Sequence, residues 1–88
     1  MALKIETICD GQKTIICPNG RLQSEHVEEL RRQLDGAQSQ IALDLEGVTL
    51  VDVEVVHFLN GCEAGGIELL NCWPYIREWM LREKITEG

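Results

Sequence analysis

The sequence is short of positive charge, aromatic residues and long apolar runs, and each shortage excludes something. Lys and Arg number 8 against 15 Asp and Glu, a formal net charge of −7. So acidic a chain lacks the basic patch that nucleic acid or an anionic membrane surface requires. Aromatic residues are only 5% of the chain, so its core must be aliphatic. No apolar run approaches the ~20 residues of a membrane span. The first residues, MALKIETICD, lack the long apolar core of a signal peptide, and the expected location is the cytoplasm. Cys9, Cys17, Cys62 and Cys72 include no Cys-x-x-Cys pair. That spacing speaks against zinc or a disulfide framework and for reduced thiols packed as small hydrophobes. No repeat, low-complexity segment or linker divides the 88 residues. They are expected to form one domain over 1–88, burying roughly 60% of the unfolded surface.

What is present is organised around IALDLEGVTLVDVEVVHFLNGCE, residues 41–63. Ile41, Leu43 and Leu45 alternate with Ala42 and Asp44, the period of a buried strand that ends before Gly47. After a turn, Asp52 is placed to cap a helix, because its carboxylate can accept the free N–H groups of the first turn. Val55, Phe58, Leu59 and Cys62 then recur at helical spacing. Gly65 and Gly66 supply a left-handed stop, and Ile67–Leu70 begin another strand. Strand, helix, strand is a βαβ unit with parallel strands, and the loop after its first strand is the usual place for function.

The flanking segments complete the pattern. Residues 3–9 alternate as a strand, Asp10-Gly11 signals a type I′ hairpin, and Lys13–Cys17 form the antiparallel return. Pro18-Asn19-Gly20 is expected to end that strand. Ser24 is placed to cap a helix with Val27, Leu30 and Leu34 on one face, Glu28 paired with Arg32, and Asp35-Gly36 at its close. Pro74 suits the first position of a last helix, with Trp73, Ile76, Trp79 and Met80 turned inward and Arg77, Glu78, Arg82 and Glu83 turned outward. The fold class is therefore α/β: one small domain, order β-β-α-β-α-β-α, with a mixed sheet whose parallel strands are central.

The ordered set Gly20-Arg21-Leu22, Glu29-Leu30, Leu43-Asp44-Leu45, Gly47-Val48 and Val51-Asp52 resembles the STAS family, named for sulfate transporters and anti-sigma-factor antagonists. The resemblance covers nearly the whole chain. It implies a mixed sheet with helices packed on it. For stand-alone members it implies binding to a regulatory protein partner, commonly an anti-sigma factor that is also a serine kinase. The family's switch reads Asp-Ser-Ser-Gly or Asp-Ser-Thr-Gly, then Leu-Gly. Here those positions are Asp52, Val53, Glu54, Val55, Val56 and His57. The hydroxyl that becomes phosphorylated thus falls on Glu54, and the family's glycines fall on Val55 and His57. The fold inference survives this departure; the phosphorylation switch does not carry over.

Two readings of Glu54 stand side by side. As a fixed stand-in for phosphoserine it supplies about −1, where a phosphate supplies about −1.5 to −2. As an acid in a helix's first turn it complements the macrodipole and needs no partner. Asp44, Glu46, Asp52 and Glu54 gather near one sheet end, but no calcium-loop spacing is present, and caps or solvated acids explain them. His57 and Cys62 lie five apart on a helix and so on different faces, and no glycine-rich phosphate loop accompanies them. The expectation is a non-catalytic interaction module without cofactor or metal. Its partner-binding residues would be Gly47, Asp52, Val53, Glu54, Val55 and His57, in the loop at 46–52 and the helix start at 53–57. The alternative is an accessory or ligand-binding subunit of a transport or other multiprotein assembly. A homo-oligomer remains open in either reading.

Overall fold

A computed structural model describes residues 3–36 and 40–87. The elements run β1 (Lys4–Asp10), β2 (Lys13–Leu22), a 3-10 turn (Ser24–His26), α1 (Val27–Gly36), β3 (Gln40–Asp44), β4 (Val48–Val51), α2 (Val53–Ala64), β5 (Glu68–Leu70) and α3 (Pro74–Glu87). The sheet is mixed, in the order β1-β2-β3-β5, with β4 also on β2. β1 pairs antiparallel with β2, while β3 and β4 pair parallel with β2, and β5 parallel with β3. The α/β class, the parallel centre and the hairpin at one side are those expected from the sequence.

Side-chain alternation directs one face of the sheet to the helices. Ile5, Ile16, Leu43 and Leu69 lie on that face, and they join Leu30 and Leu34 of α1, Val55, Val56, Phe58, Leu59 and Cys62 of α2, and Ile76 and Met80 of α3 in one core cluster. The helical spacings named above thus fell on the buried face. Trp73 did not: it is 44% exposed, one residue ahead of α3, where the helical period does not yet apply. Trp79 is half-buried against the core. Of the thiols only Cys62 is buried, and Cys9 is exposed because β1 has no neighbour on its outer side.

Five local expectations are corrected. β2 does not stop at Pro18 but continues to Leu22, with Pro18 buried opposite Ile5. The Gly20 N–H turns away from β1 to the Gly47 carbonyl at 3.0 Å. Two residues back, the Pro18 nitrogen faces the same way. There β2 changes partner from β3, last paired at Ile16, to β4, first paired at Gly20. A missing donor costs nothing at that seam, whereas inside a ladder it would break a bond.

The second correction is Val48–Val51, which is strand β4 rather than a turn. In the third, the hairpin loop is Gly11-Gln12, and only Gly11 has a positive φ, 64°, as in a type II′ turn rather than I′. In the fourth, Gln23 rather than Ser24 precedes the helical turn. The His26 N–H donates to the Gln23 carbonyl at 2.8 Å, and the Gln23 N–H donates to His26 Nδ1 at 3.1 Å. In the fifth, Arg32 pairs with Glu29, one turn back at 3.9 Å, instead of with Glu28. At the end of α2 the left-handed residue is Gly66, at φ 93°, following Gly65 as C-cap.

Candidate functional site

The candidate site is assembled where β3, β4 and α2 follow one another. Asp44 ends β3, and its Oδ1 accepts the Glu46 N–H at 3.0 Å and the Asn71 amide at 3.2 Å. Asn71 holds a positive φ of 51°, which Asn tolerates better than most residues. Leu45 is buried and its N–H donates to the Leu70 carbonyl at 2.9 Å. Gly47 then passes so close to β2 that a Cβ on it would collide with the Asn19 side-chain oxygen. That side chain is itself held, with Nδ2 donating to Glu6 Oε1 and to the Cys17 carbonyl, each at 3.1 Å. Gly47 is required here for space, and its role in the fold is to let the loop seat against β2.

Asp52 caps α2 as its sequence position indicated, with Oδ1 accepting the Val55 N–H at 3.0 Å. Its second oxygen accepts the Ser24 N–H at 2.8 Å, so one carboxylate fastens the start of α2 to the end of β2. Partial burial opposes ionisation of Asp52. The hydrogen bonds from Ser24, Val55 and Glu54 outweigh it and hold the carboxyl below its ordinary range. Sequence reasoning found the cap but missed the link to Ser24, because the two are 28 residues apart and only the sheet order joins them.

Beyond the cap the expected partner-binding residues separate. Val53, Glu54 and His57 are exposed, with Val53 at 41%. Val55 is completely buried in the core cluster. It is therefore removed from the candidate surface: the helical period that places Val55 with Phe58 and Leu59 points all three inward. His57 Nε2 lies 2.6 Å from Glu83 Oε1 of α3. Between the same two helices, Glu63 of α2 takes Arg77 at 2.8 Å and Lys84 at 3.4 Å. The Arg77 hydrogen bond and, further down, Lys84 lower the Glu63 carboxyl against the effect of burial. These pairs fix α3 along α2, so the first turn of α2 is presented on a braced support.

A groove of about 540 Å³ runs between α1 and α2, with Glu54 and His57 on its rim and Glu28, Arg31 and Phe58 along it. The Arg31 guanidinium sits 5.8 Å from the Phe58 ring centroid. No local pattern signals this groove, since it depends on α1 lying beside α2. Cys62 at its floor is pushed up to about 11 by burial, with Arg31 opposing, which is the reverse of an activated nucleophile. Among the described residues no group of three or more His, Cys, Asp or Glu converges as a metal site. Asp44 and Asp52, two of the four acids considered for a cation, are engaged by backbone and side-chain donors instead. Nor, among the described residues, is any helix long and apolar enough to cross a membrane. Tyr75 and Trp73 are exposed, and the Tyr75 hydroxyl donates to the Thr49 carbonyl of β4 at 3.3 Å.

No protein-family model and no curated protein sequence matches the chain. Solved structures do. The anti-sigma factor antagonist SpoIIAA in its unphosphorylated form superposes with a TM-score of 0.63 at 25% identity, covering 88% of this chain and 79% of that one. The Bacillus cell fate determinant SpoIIAA in the phosphorylated form gives a TM-score of 0.64 at 22% identity, over 98% of this chain and 86% of that one. The chain thus has the STAS fold of the anti-sigma-factor antagonists, as the resemblance read from its motifs implied.

Proposed function

We propose that this chain is a non-catalytic regulatory module of the anti-sigma-factor antagonist type, acting as a single domain in the cytoplasm. Its protein partner would meet the loop from Gly47 to Asp52 and the exposed side chains Val53, Glu54 and His57. An anti-sigma factor with serine-kinase character is the partner that the fold favours. The observation that carries this reading is the position of Glu54. It is exposed in the first turn of α2, directly behind the Asp52 cap, in a fold shared with an antagonist known in phosphorylated and unphosphorylated forms. A carboxylate there would hold permanently part of the charge that a phosphate would add reversibly, and would weaken docking through repulsion and desolvation.

The test uses the wild-type protein and Glu54→Ser, each shown to be folded, with a candidate anti-sigma kinase and ATP. No phosphate is expected within residues 52–57 of the wild type, which contain no hydroxyl. Glu54→Ser should bind more tightly before ATP is added and become phosphorylated after it. Equal affinity of the two proteins would reduce Glu54 to a helix-start acid. Capture of a transport ATPase in place of a sigma regulator would support the accessory-subunit reading.

A further inference from the structure

We propose that the free edge of β1 pairs with β1 of a second copy of this chain, in an antiparallel two-fold dimer. β1 ends the strand order, and Lys4 and Glu6–Asp10 are all exposed. Among the described residues no proline, helix or loop blunts this edge; its guards are the exposed charges of Lys4, Glu6 and Asp10, which restrict the strands it can accept. The hairpin register decides which groups are free. Lys4, Glu6, Ile8 and Asp10 stand opposite Asn19, Cys17, Ile15 and Lys13. In β2 the Gly20 N–H faces away from β1, so the odd-numbered residues of β2 face towards it. Lys4, Glu6, Ile8 and Asp10 are therefore bonded into the ladder. Ile5, Thr7 and Cys9 point their N–H and C=O groups outward, without a partner strand.

A second β1 can use those outward groups only in registers that set odd residues opposite odd residues. Side-chain charge then chooses among them. A two-fold through Glu6 would oppose Glu6 to Glu6, and one through Ile8 would oppose Glu6 to Asp10 twice; both place like charges face to face. A two-fold through Thr7 sets Thr7 on Thr7, Ile5 on Cys9 and Lys4 on Asp10, and the Lys4–Asp10 pair occurs twice by symmetry. The Lys4 and Asp10 side chains enter no ion pair among the described residues, so both are available. Glu6, opposite Ile8 in this register, has its carboxylate turned back onto Asn19. The Thr7 register is thus self-complementary over all seven residues of β1 and its two neighbours are self-repelling; a two-fold through Ile5 also sets Lys4 on Glu6 but pairs only residues 4–6 of the strand.

The result is a sheet continuous through two copies, with both helical layers on the same side, since residues directly opposite in an antiparallel pair project to the same face. β1 lies across β2 from β3 and β4, so pairing leaves Glu54 and His57 of each copy uncovered. One strand pair buries little surface, so the dimer is weak and depends on concentration. Its formation is independent of which partner docks at α2.

Sedimentation equilibrium up to roughly millimolar chain tests the proposal. The wild type should pass from monomer to dimer within that range. Lys4→Glu should raise the dimer dissociation constant about tenfold or more, because both reciprocal pairs turn from attraction to repulsion. Adding Asp10→Lys should restore dimerisation. Thr7→Pro removes an outward N–H without touching the ladder to β2, and should abolish the dimer while circular dichroism stays that of the wild type. A wild type that remains monomeric throughout overturns the proposal. So does a dimer indifferent to Lys4→Glu, which would place the interface elsewhere, or a double reversal that fails to recover.

Discussion

Replacing Asp52 by Ala removes two attachments at once, and the structure says how much each is worth. The bond from the Val55 N–H is an N-cap, whose loss costs about 0.5–2 kcal/mol. The bond from the Ser24 N–H is different in kind. Ser24 is exposed, so water can replace the carboxylate there, and the net loss is that of an ordinary hydrogen bond, about 0.5–1.5 kcal/mol. The sum should fall near 2 kcal/mol at neutral pH, and each kcal/mol lowers Tm by roughly 4–8 °C in a domain of this size. Asp52→Asn should cost less than Ala. Its amide oxygen can keep the Val55 bond, while its NH₂ would face the Ser24 donor and lose the second. The pH dependence supplies an independent check. The folded carboxyl lies below its ordinary value of 3.8, so the stability it confers is present above that pH and is lost as pH falls through the folded value. Urea unfolding of wild type and Asp52→Ala should therefore converge in acid, with the full gap restored above about pH 5. A variant as stable as wild type at pH 7, or a gap unchanged between pH 7 and pH 3, would refute the double role assigned to this carboxylate.

Other outcomes follow from the packing. Leu43→Ala and Phe58→Ala each leave a cavity in the core and should lower stability by roughly 2–5 kcal/mol in urea titrations; a midpoint near that of wild type would show that the side chain is not packed as described. Gly47→Ala forces a Cβ into the Asn19 side chain and to 3.3 Å from the Pro18 carbonyl, and should cost about 1–3 kcal/mol in the same assay. Thiol titration in denaturant without reductant should find four free groups. In the native protein near pH 8, Cys9 should react first and Cys62 last, because burial raises Cys62 to about 11 and shields it from reagent.

The fold was legible in the sequence wherever one periodicity ran uninterrupted. Val55, Phe58, Leu59 and Cys62, or Ile76 and Met80, could be placed in the core because helical spacing needs only the helix itself. Asp52 and Pro74 announced their helices through local chemistry. The larger misreadings lie where a long-range partner decided the outcome. Pro18 looks like a strand terminator until β2 is seen to change neighbours beside it. Val48–Val51 became a strand because residues 20–22 of β2 offered a free ladder, which four residues could not have signalled on their own. Ser24 was a reasonable cap by composition, but the helical turn begins one residue earlier, at Gln23, and the Ser24 N–H is taken by Asp52 at the end of the neighbouring β4.

At the candidate site the same distinction changes what the departures from the family pattern mean. Glu54 and Val55 are adjacent in sequence, and a motif comparison treats both as losses at one functional surface. The helix separates them: Glu54 is exposed and Val55 is at full burial. Val55 is thus no steric obstacle to a partner. It is a core residue, and together with Val56 it pins the first turn of α2 to the cluster beneath. Glycine at position 55 would empty that space and, in a helix, cost about 1 kcal/mol more through backbone freedom alone. A variant that restores Gly at 55 would therefore be weakened in its fold before its binding could be read. The residues that can answer for binding are Val53, Glu54 and His57. His57 differs from the other two because Glu83 already holds it against α3, so the family's glycine at 57 would open a gap between helices as well as a surface. Glu54 is the departure that changes the charge of the surface while touching the fold only through the helix dipole, and for that reason the binding experiment belongs on Glu54→Ser rather than on a wholesale return to the family motif.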